Sequence, residues 1–351
     1  MSNVVVAVDA MGGDLAPGAP VLGALQAARR GIAVTLVGAS QTIHAELHRH
    51  PDWEHLPITV VDAPDTIEMS EAPLAALRRK PHASVRVAAR LAASGQASAI
   101  FSAGHTGATL LSAHGAFGVL DGVDRPALAV TVPTRTGAAL LLDAGANVDC
   151  RPEHLAQFAV MGAAYARVAL QIERPKVGLL SIGEEAGKGN DLTREAHGRL
   201  QSTPVDYIGN LEAREFFTGR ADVIVCDGFT GNIALKVGES LVEAVDHMLR
   251  EELGAEMLTQ LGALLTRRAF SRFKQRVDYA EYGGAPLLGI AGVALVGHGR
   301  SSAQAVENGI ALAARLAEKR VVERLAEALK PTATREAEGR RPKAEVIPPE
   351  G

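Results

Sequence analysis

The chain has 351 residues, 47% hydrophobic and 22% charged, so it can bury a large core and is too apolar for a disordered polar chain. A net charge of -4 removes any global pull toward nucleic acid, and no interleaving of basic and aromatic residues of the RNA-binding kind appears. The two cysteines, Cys150 and Cys226, make neither a disulfide framework nor a CxxC metal knuckle, and no apolar run reaches the roughly 20 residues of a membrane-spanning helix.

Met1 to Val6 runs directly into a strand without the basic-then-apolar signature of a secretory signal, so a cytoplasmic location is expected. Val4 to Val8 reads as a buried strand, the Gly12-Gly13 turn follows, Pro20 to Arg30 is helical, and Ile32 to Val37 is a second strand. That is a β-α-β unit, for which a right-handed crossover and parallel pairing are the default. Further strands are predicted at Ile58–Val61, Ala99–Ser102, Ala127–Val132, Ala139–Asp143, Val177–Ile182, Asp206–Ile208 and Val223–Asp227. With 36 glycines for turns and only 4% aromatics, the core is aliphatic and the fold reads as α/β, a doubly wound, mostly parallel sheet between helical layers.

Near Ser240 the rhythm becomes helical, with Leu241, Val245, Met248, Leu249, Met257, Leu258, Leu261, Leu264 and Leu265 recurring at helical spacing over about residues 240–276. A strand around Ile290–Val296 and one helix from about Ser302 to Leu329 complete a single domain over 1–330. The polar, aperiodic stretch 331–351 reads as a disordered tail.

Four Gly-rich turns each follow an apolar strand and precede a helical pattern, and the reading is that they converge on one rim of the sheet, where α/β folds bind ligands. They are Asp9 to Asp14 with Gly12 and Gly13, Ser102 to Ala108 with Gly104, His105, Thr106 and Gly107, Gly183 to Asn190, and Asp227 to Asn232 with Gly228 and Gly231. Glycines let a phosphate approach backbone N–H groups closely, and repetition raises such loops above ordinary turns. No G-x-G-x-x-G follows the first strand, and Gly189 stands where a P-loop has Ser or Thr, so the phosphate is not carried by the usual nucleotide devices. G-x-S-x-G and H-E-x-x-H are absent as well. Cys226 ends an apolar strand and packs as a small hydrophobe, Cys150 lies in a polar loop beside Arg151, and neither is read as a nucleophile. Lys188, between two glycines, suits an anion or a developing oxyanion, and Asn232 is either a helix cap or a donor to a substrate oxygen. Arg78-Arg79-Lys80 is either a solvated face or a docking patch for an acidic partner.

Taken in order, VAVDAMGGDLAP, RRKPHASVRVA, FSAGHTGA, DRPALA, LLDAGANVDCRPEHL, VGLLSIGEEAGKGNDLT, YIGNLEAR, DVIVCDGFTGNIALK, YGGAPLLG and HGRSS resemble the bacterial phosphate acyltransferases, over residues 4 to about 302. The resemblance implies that inorganic phosphate displaces the phosphopantetheine thiol of long-chain acyl-acyl carrier protein, giving acyl phosphate for phospholipid synthesis. It implies no cofactor and no metal. Carried over by position, Lys188 and Asn232 are the catalytic pair, Asp9, Gly12, Gly13 and Asp14 form the wall opposite them, and Asn190 and Asp227 support them. The family usually has Asn where this chain has His105, so a role for that side chain does not carry over, whereas the neighbouring backbone amides do. The resemblance further implies a fold like that of phosphotransacetylases and isopropylmalate-type dehydrogenases, and a homodimer built on a projecting helical arm. In that arm Leu261, Leu264, Leu265, Arg267, Arg268 and Phe270 suit either a buried dimer helix or one lying on an anionic bilayer. Delivery of an acyl product to a membrane glycerol-phosphate acyltransferase favours peripheral contact with the inner membrane surface. Two rival readings are a phosphotransacetylase-like enzyme acting on short acyl-CoA and a non-catalytic acyl-carrier or membrane adaptor.

Overall fold

The computed structural model describes residues 4–254, 262, 265, 266, 268 and 283–330. Eleven strands form one sheet: β1 (Val5–Asp9), β2 (Ala33–Gly38), β3 (Ile58–Asp62), β4 (Ala99–Ser102), β5 (Ala127–Thr134), β6 (Gly137–Leu142), β7 (Lys176–Leu180), β8 (Asp206–Leu211), β9 (Val223–Val225), β10 (Ala285–Leu288) and β11 (Ala294–Val296), in the order β3-β2-β1-β4-β11-β10-β5-β6-β9-β7-β8. The helices are α1 (Gly18–Arg29), α2 (Ser40–Leu47), α3 (Pro73–Arg79), α4 (Ser84–Ala93), α5 (Thr106–Phe117), α6 (Pro152–Ala169), α7 (Asp191–Leu200), α8 (Gly228–Gly254), α9 (Ala303–Glu318) and α10 (Val321–Leu329).

Successive strand residues point to opposite faces, so alternation along each strand sorts the helices into two layers. Leu140 and Leu142 of β6 and Val223 and Val225 of β9 pack with α1, α2, α6, α7, α9 and α10. Ala139, Leu141 and Ile224 face the other way, toward Ala234 and Leu235 of α8. On that same face Ala7 and Ile100 meet Ala88 and Ala89 of α4 and Ala113 of α5. Phe101, 1% exposed, points to the first layer and fills the space between Gly297 and Gly309 of α9.

The predicted strands are all present to within a few residues of their expected bounds, but they do not all run the same way. β1, β2, β3, β4 and β11 are mutually parallel. β10 is antiparallel to β11, β5 is antiparallel to β10, and β6 is antiparallel to β5. β6, β9, β7 and β8 are then parallel to one another. Three reversals leave the second half running against the first. The carboxyl ends of β1 and β4 therefore open on one edge of the sheet and those of β6, β7 and β9 on the other. The reversal is made at the β5–β6 hairpin, where Thr134 pairs with Gly137 across Arg135 and Thr136.

Three further boundaries differ from expectation. The long helix begins at Gly228, not near Ser240, so its first turn lies directly behind the Asp227 loop. The terminal helix is two helices, α9 and α10, with Arg320 between them in left-handed backbone at φ 52°. β10 was not expected at all. As a check on the packing, Phe101→Ala should destabilise the protein by about 3–5 kcal/mol in urea unfolding, because it removes a fully buried ring from between two backbones that cannot close on the gap.

Candidate active site

In an open α/β sheet a ligand crevice forms where neighbouring parallel strands send their helices to opposite faces. This sheet has two. β1 and β4 are neighbours, and α1 follows one on the first face while α5 follows the other on the second. β7 and β9 are neighbours on the opposite edge, followed by α7 on the first face and α8 on the second.

In the first crevice most loop amides bond within the protein. Asp9 is 4% exposed, and its carboxylate accepts from the Ser102 hydroxyl (2.7 Å) and the Met11 N–H (3.2 Å), with the Ser84 hydroxyl and the Gly12 N–H also turned to it. Burial raises its pKa against the pull of those donors. Ala10 N–H donates to Val37 (2.9 Å), Asp14 N–H to Gly299 (2.8 Å), and Gly104 N–H to the Ser102 hydroxyl (3.1 Å). Amides at 10, 11, 12, 14 and 104 are thus already engaged by the protein. A Cβ on Gly12 would stand 2.6 Å from the Asp9 carboxylate and 2.8 Å from Gly104 N, so the two loops touch. His105 is the N-cap of α5, its Nδ1 accepting from Gly107 N–H at 3.1 Å. An asparagine oxygen fills that same acceptor position, so the departure from the family pattern keeps the cap. Thr106 and Gly107 form the first turn behind it.

The second crevice differs. Asn190 caps α7 through Thr193 N–H (2.9 Å), and Asp227 caps α8 through Thr230 N–H (2.8 Å) and the Thr230 hydroxyl (2.9 Å). Both predicted supporting residues are therefore helix caps, which fix the loops that carry the pair. Lys188 rises from the loop after β7 with no carboxylate partner among the described residues. Asn232 lies in the first turn of α8 against Gly145, and its amide has no hydrogen-bond partner among the described residues. Gly231 N–H bonds Asp227 O within the turn (2.9 Å), and Gly228 N–H donates to Asn147 O (2.7 Å).

One residue that the sequence reading did not single out organises this edge. Asp143 is fully buried and accepts from the N–H groups of Leu128 (3.0 Å), Gly145 (3.1 Å), Ala146 (2.9 Å) and Asn147 (2.7 Å), and from the Asn147 side-chain amide (2.8 Å). Burial pushes its carboxyl up while the five donors pull the other way. Gly231 is pressed against the Asp143 carbonyl with no room for a side chain. The only sequence signal was the run Asp143-Ala-Gly-Ala-Asn147, in which an Asp after a strand is followed by small residues.

The cysteines are no better as nucleophiles than expected. Burial with neighbouring Asp143 and Asp227 pushes the Cys150 thiol up to about 12, and buried Cys226 lies well above its ordinary range. No cluster of three or more His, Cys, Asp or Glu suited to a metal occurs among the described residues.

Residues 4–324 match the family model described as "Fatty acid synthesis protein". The phosphate acyltransferase of Geotalea daltonii is 49% identical over 92% of this chain and 94% of its own length, and that of Geobacter sulfurreducens is 50% identical over 92% and 93%. This chain belongs to the phosphate acyltransferase family. Among solved structures, a phosphotransacetylase of Streptococcus pyogenes superposes with TM-score 0.59 at 16% identity, covering 92% of this chain and 94% of that one. A phosphotransacetylase of Staphylococcus aureus gives 0.56 at 17%, covering 90% and 94%. At that identity the likeness establishes the fold alone, as the resemblance implied.

The remaining predicted residues fall on two segments, the basic cluster at the end of α3 and the arm after α8. Glu71 takes up two of the three cations in the basic cluster, pairing with Lys80 (2.5 Å) and Arg79 (3.2 Å), and Lys80 also donates to Thr66 O (2.6 Å). Arg78 is exposed with no carboxylate partner among the described residues. In the arm, Leu265 and Arg268 are exposed, whereas Leu261, Leu264, Arg267 and Phe270 lie outside the described residues. No described helix is long and apolar enough to cross a membrane.

Two expectations follow. His105→Asn should leave stability unchanged and His105→Ala should cost about 1 kcal/mol, measured by urea unfolding, because only the second removes the cap acceptor. For Asp9, burial holds the folded pKa above the ordinary 3.8, so above that pH the unfolded chain has lost a proton that the folded chain retains, and stability falls as pH rises. Asp9→Asn lacks this term. Its stability relative to the parent should climb as pH is raised from 4 toward neutrality, and a flat difference would show that the Ser102, Ser84 and amide donors cancel the burial.

Proposed function

We propose that this protein transfers the acyl group of a long-chain acyl-acyl carrier protein to inorganic phosphate, releasing acyl phosphate and free carrier protein for phosphatidic acid synthesis. The observation that carries the reading is the β7–β9 crevice, which offers an ammonium and an amide that have no partner among the described residues, beside loops that hold no activated thiol. A site of that kind suits a reaction whose nucleophile arrives with the substrates. Hydrogen phosphate attacks the thioester carbonyl, a C–O bond forms, the C–S bond breaks, and the phosphate proton leaves with the thiolate as the carrier's thiol. Lys188 attracts the phosphate and offsets charge developing on the carbonyl oxygen, and Asn232 donates to that oxygen. The Asp143 network and the Asp227 and Asn190 caps hold both in place. The Asp9–Asp14 loop then acts as a rigid brace on the opposite edge, since its amides are engaged and two carboxylates lie within it.

The exposed stripe Phe229, Ile233, Val237, Leu241, Val245 and Met248 along α8 supports a homodimer formed on this helix. Exposed Leu265 and Arg268 support peripheral contact of the following segment with an anionic membrane surface, where a glycerol-phosphate acyltransferase would take the product. Arg78 is joined by Arg86 and Arg90, whose guanidinium groups bond carbonyls of Leu77 (2.9 Å) and Pro81 (3.2 Å) and no carboxylate among the described residues, as a surface for the acidic carrier protein.

The test is thiol release from palmitoyl-carrier protein or acetyl-CoA with and without phosphate, with hydroxylamine trapping of acyl phosphate. Phosphate-dependent release from the carrier substrate is expected, and Lys188→Ala or Asn232→Ala should each lower kcat/KM by about 100- to 1000-fold while the protein stays folded. Release from acetyl-CoA alone would move the activity to a phosphotransacetylase, and unchanged variants would remove the pair from the site.

A further inference from the structure

Hydrogen phosphate carries two negative charges, and the loops of the β7–β9 edge already hold Asp143, Asp149 and Asp227. One ammonium leaves that edge short of positive charge. Most of its arginines are committed: Arg151 pairs with Asp124 (3.4 Å), Arg194 with Asp191, and Arg214 with Glu212 (2.7 Å) and Glu184 (3.4 Å). Arg125 is the exception. It is exposed, has no carboxylate partner among the described residues, and makes one contact, from Nη1 to the Asp149 carbonyl at 3.3 Å.

The backbone around Arg125 is held by the same network that seats Asn232. Pro126 O accepts from the Asn147 side-chain amide (2.7 Å), and Leu128 N–H donates to Asp143 (3.0 Å). Asn147 O in turn receives Gly228 N–H at the start of α8 (2.7 Å), and Gly145 lies against Asn232. Cys150, between these loops, feels the charges of Asp143, Asp227 and Arg125 together, which places the guanidinium beside the same loops. We propose that Arg125 is a phosphate-binding residue of this site, its guanidinium fork taking two non-attacking oxygens while Lys188 faces the transferring one. A planar fork on an otherwise unpaired arginine matches that geometry, and lysine does not.

The inference rests on the proposed phosphate-dependent activity, and the two can fail separately. Steady-state kinetics with palmitoyl-carrier protein and varied phosphate would be run on the parent, Arg125→Ala, Arg125→Lys and Arg151→Ala, with calorimetric titration of inorganic phosphate into each. Loss of a charge-assisted bidentate contact should raise KM for phosphate by about 10- to 100-fold in Arg125→Ala, with KM for the acyl substrate unchanged. Arg125→Lys should fall between it and the parent, and Arg151→Ala should match the parent. A KM for phosphate within about twofold of the parent in Arg125→Ala, or an acyl KM that rises in step with it, overturns the assignment. Should the alanine variant not fold, Arg125→Lys decides: a phosphate KM equal to the parent's rules out the fork. A parent that binds phosphate by calorimetry but shows no phosphate-dependent thiol release would overturn the activity and leave the Arg125 comparison intact.

Discussion

Five N–H groups converge on the buried carboxylate of Asp143, and most of what is distinctive about the second half of the molecule hangs from that point. A carboxylate at the end of a strand would be costly to bury alone, and it is tolerable here because every approach to it is a donor. Those donors belong to the start of β5 and the whole turn after β6, so one side chain fixes the relation between two antiparallel strands. Its own main-chain carbonyl receives Gly231 at close range, and the first turn of α8 is thereby seated against the same turn. Removing the carboxylate would leave five orphaned donors, which is a larger loss than any single contact at the edge.

The strands were legible because apolar runs of four to six residues bounded by Gly, Pro and Asp leave little choice. β10 was not, because Pro286 interrupts a short run next to two glycines and reads as turn. Its place between β11 and β5 explains the exception: both pairings are antiparallel and short, with only two residue pairs to each neighbour. The direction of the second half was hidden for a related reason. Alternating strand and helix favour parallel pairing by default, and one two-residue hairpin at Arg135 and Thr136 reverses β6 and, with it, β7, β8 and β9. The turn was visible in the sequence, but its consequence for which loops share an edge depends on the order of strands, and local pattern does not encode that.

The proposed site was legible at the level of its unpaired groups. Lys188 between glycines and Asn232 behind a capping Asp stand out because their side chains have no hydrogen-bond or ion-pair partner among the described residues. The Asp9–Asp14 loop looked equally promising, and hydrogen-bond accounting sets it apart: a glycine turn binds an anion with amides that point outward unengaged, and here those of residues 10, 11, 12 and 14 bond Asp9, Val37 and Gly299. Glycine recurrence therefore marked both crevices without distinguishing an open one from a braced one.

The helix that begins beside Asn232 continues for 27 residues, with its apolar stripe exposed from the first turn onward. Roughly 16 Å along its axis from Asn232, Glu243 meets Arg300 of the opposite-edge loop at 3.8 Å. A single rigid rod thus touches both edges of the sheet and the surface between them. By reciprocity of linked equilibria, whatever docks on that stripe and shifts the rod alters affinity at Asn232 by the same factor that a ligand at Asn232 alters docking. With the proposed dimer on that stripe and the proposed substrate at Asn232, assembly state and substrate occupancy would be two readouts of one coordinate.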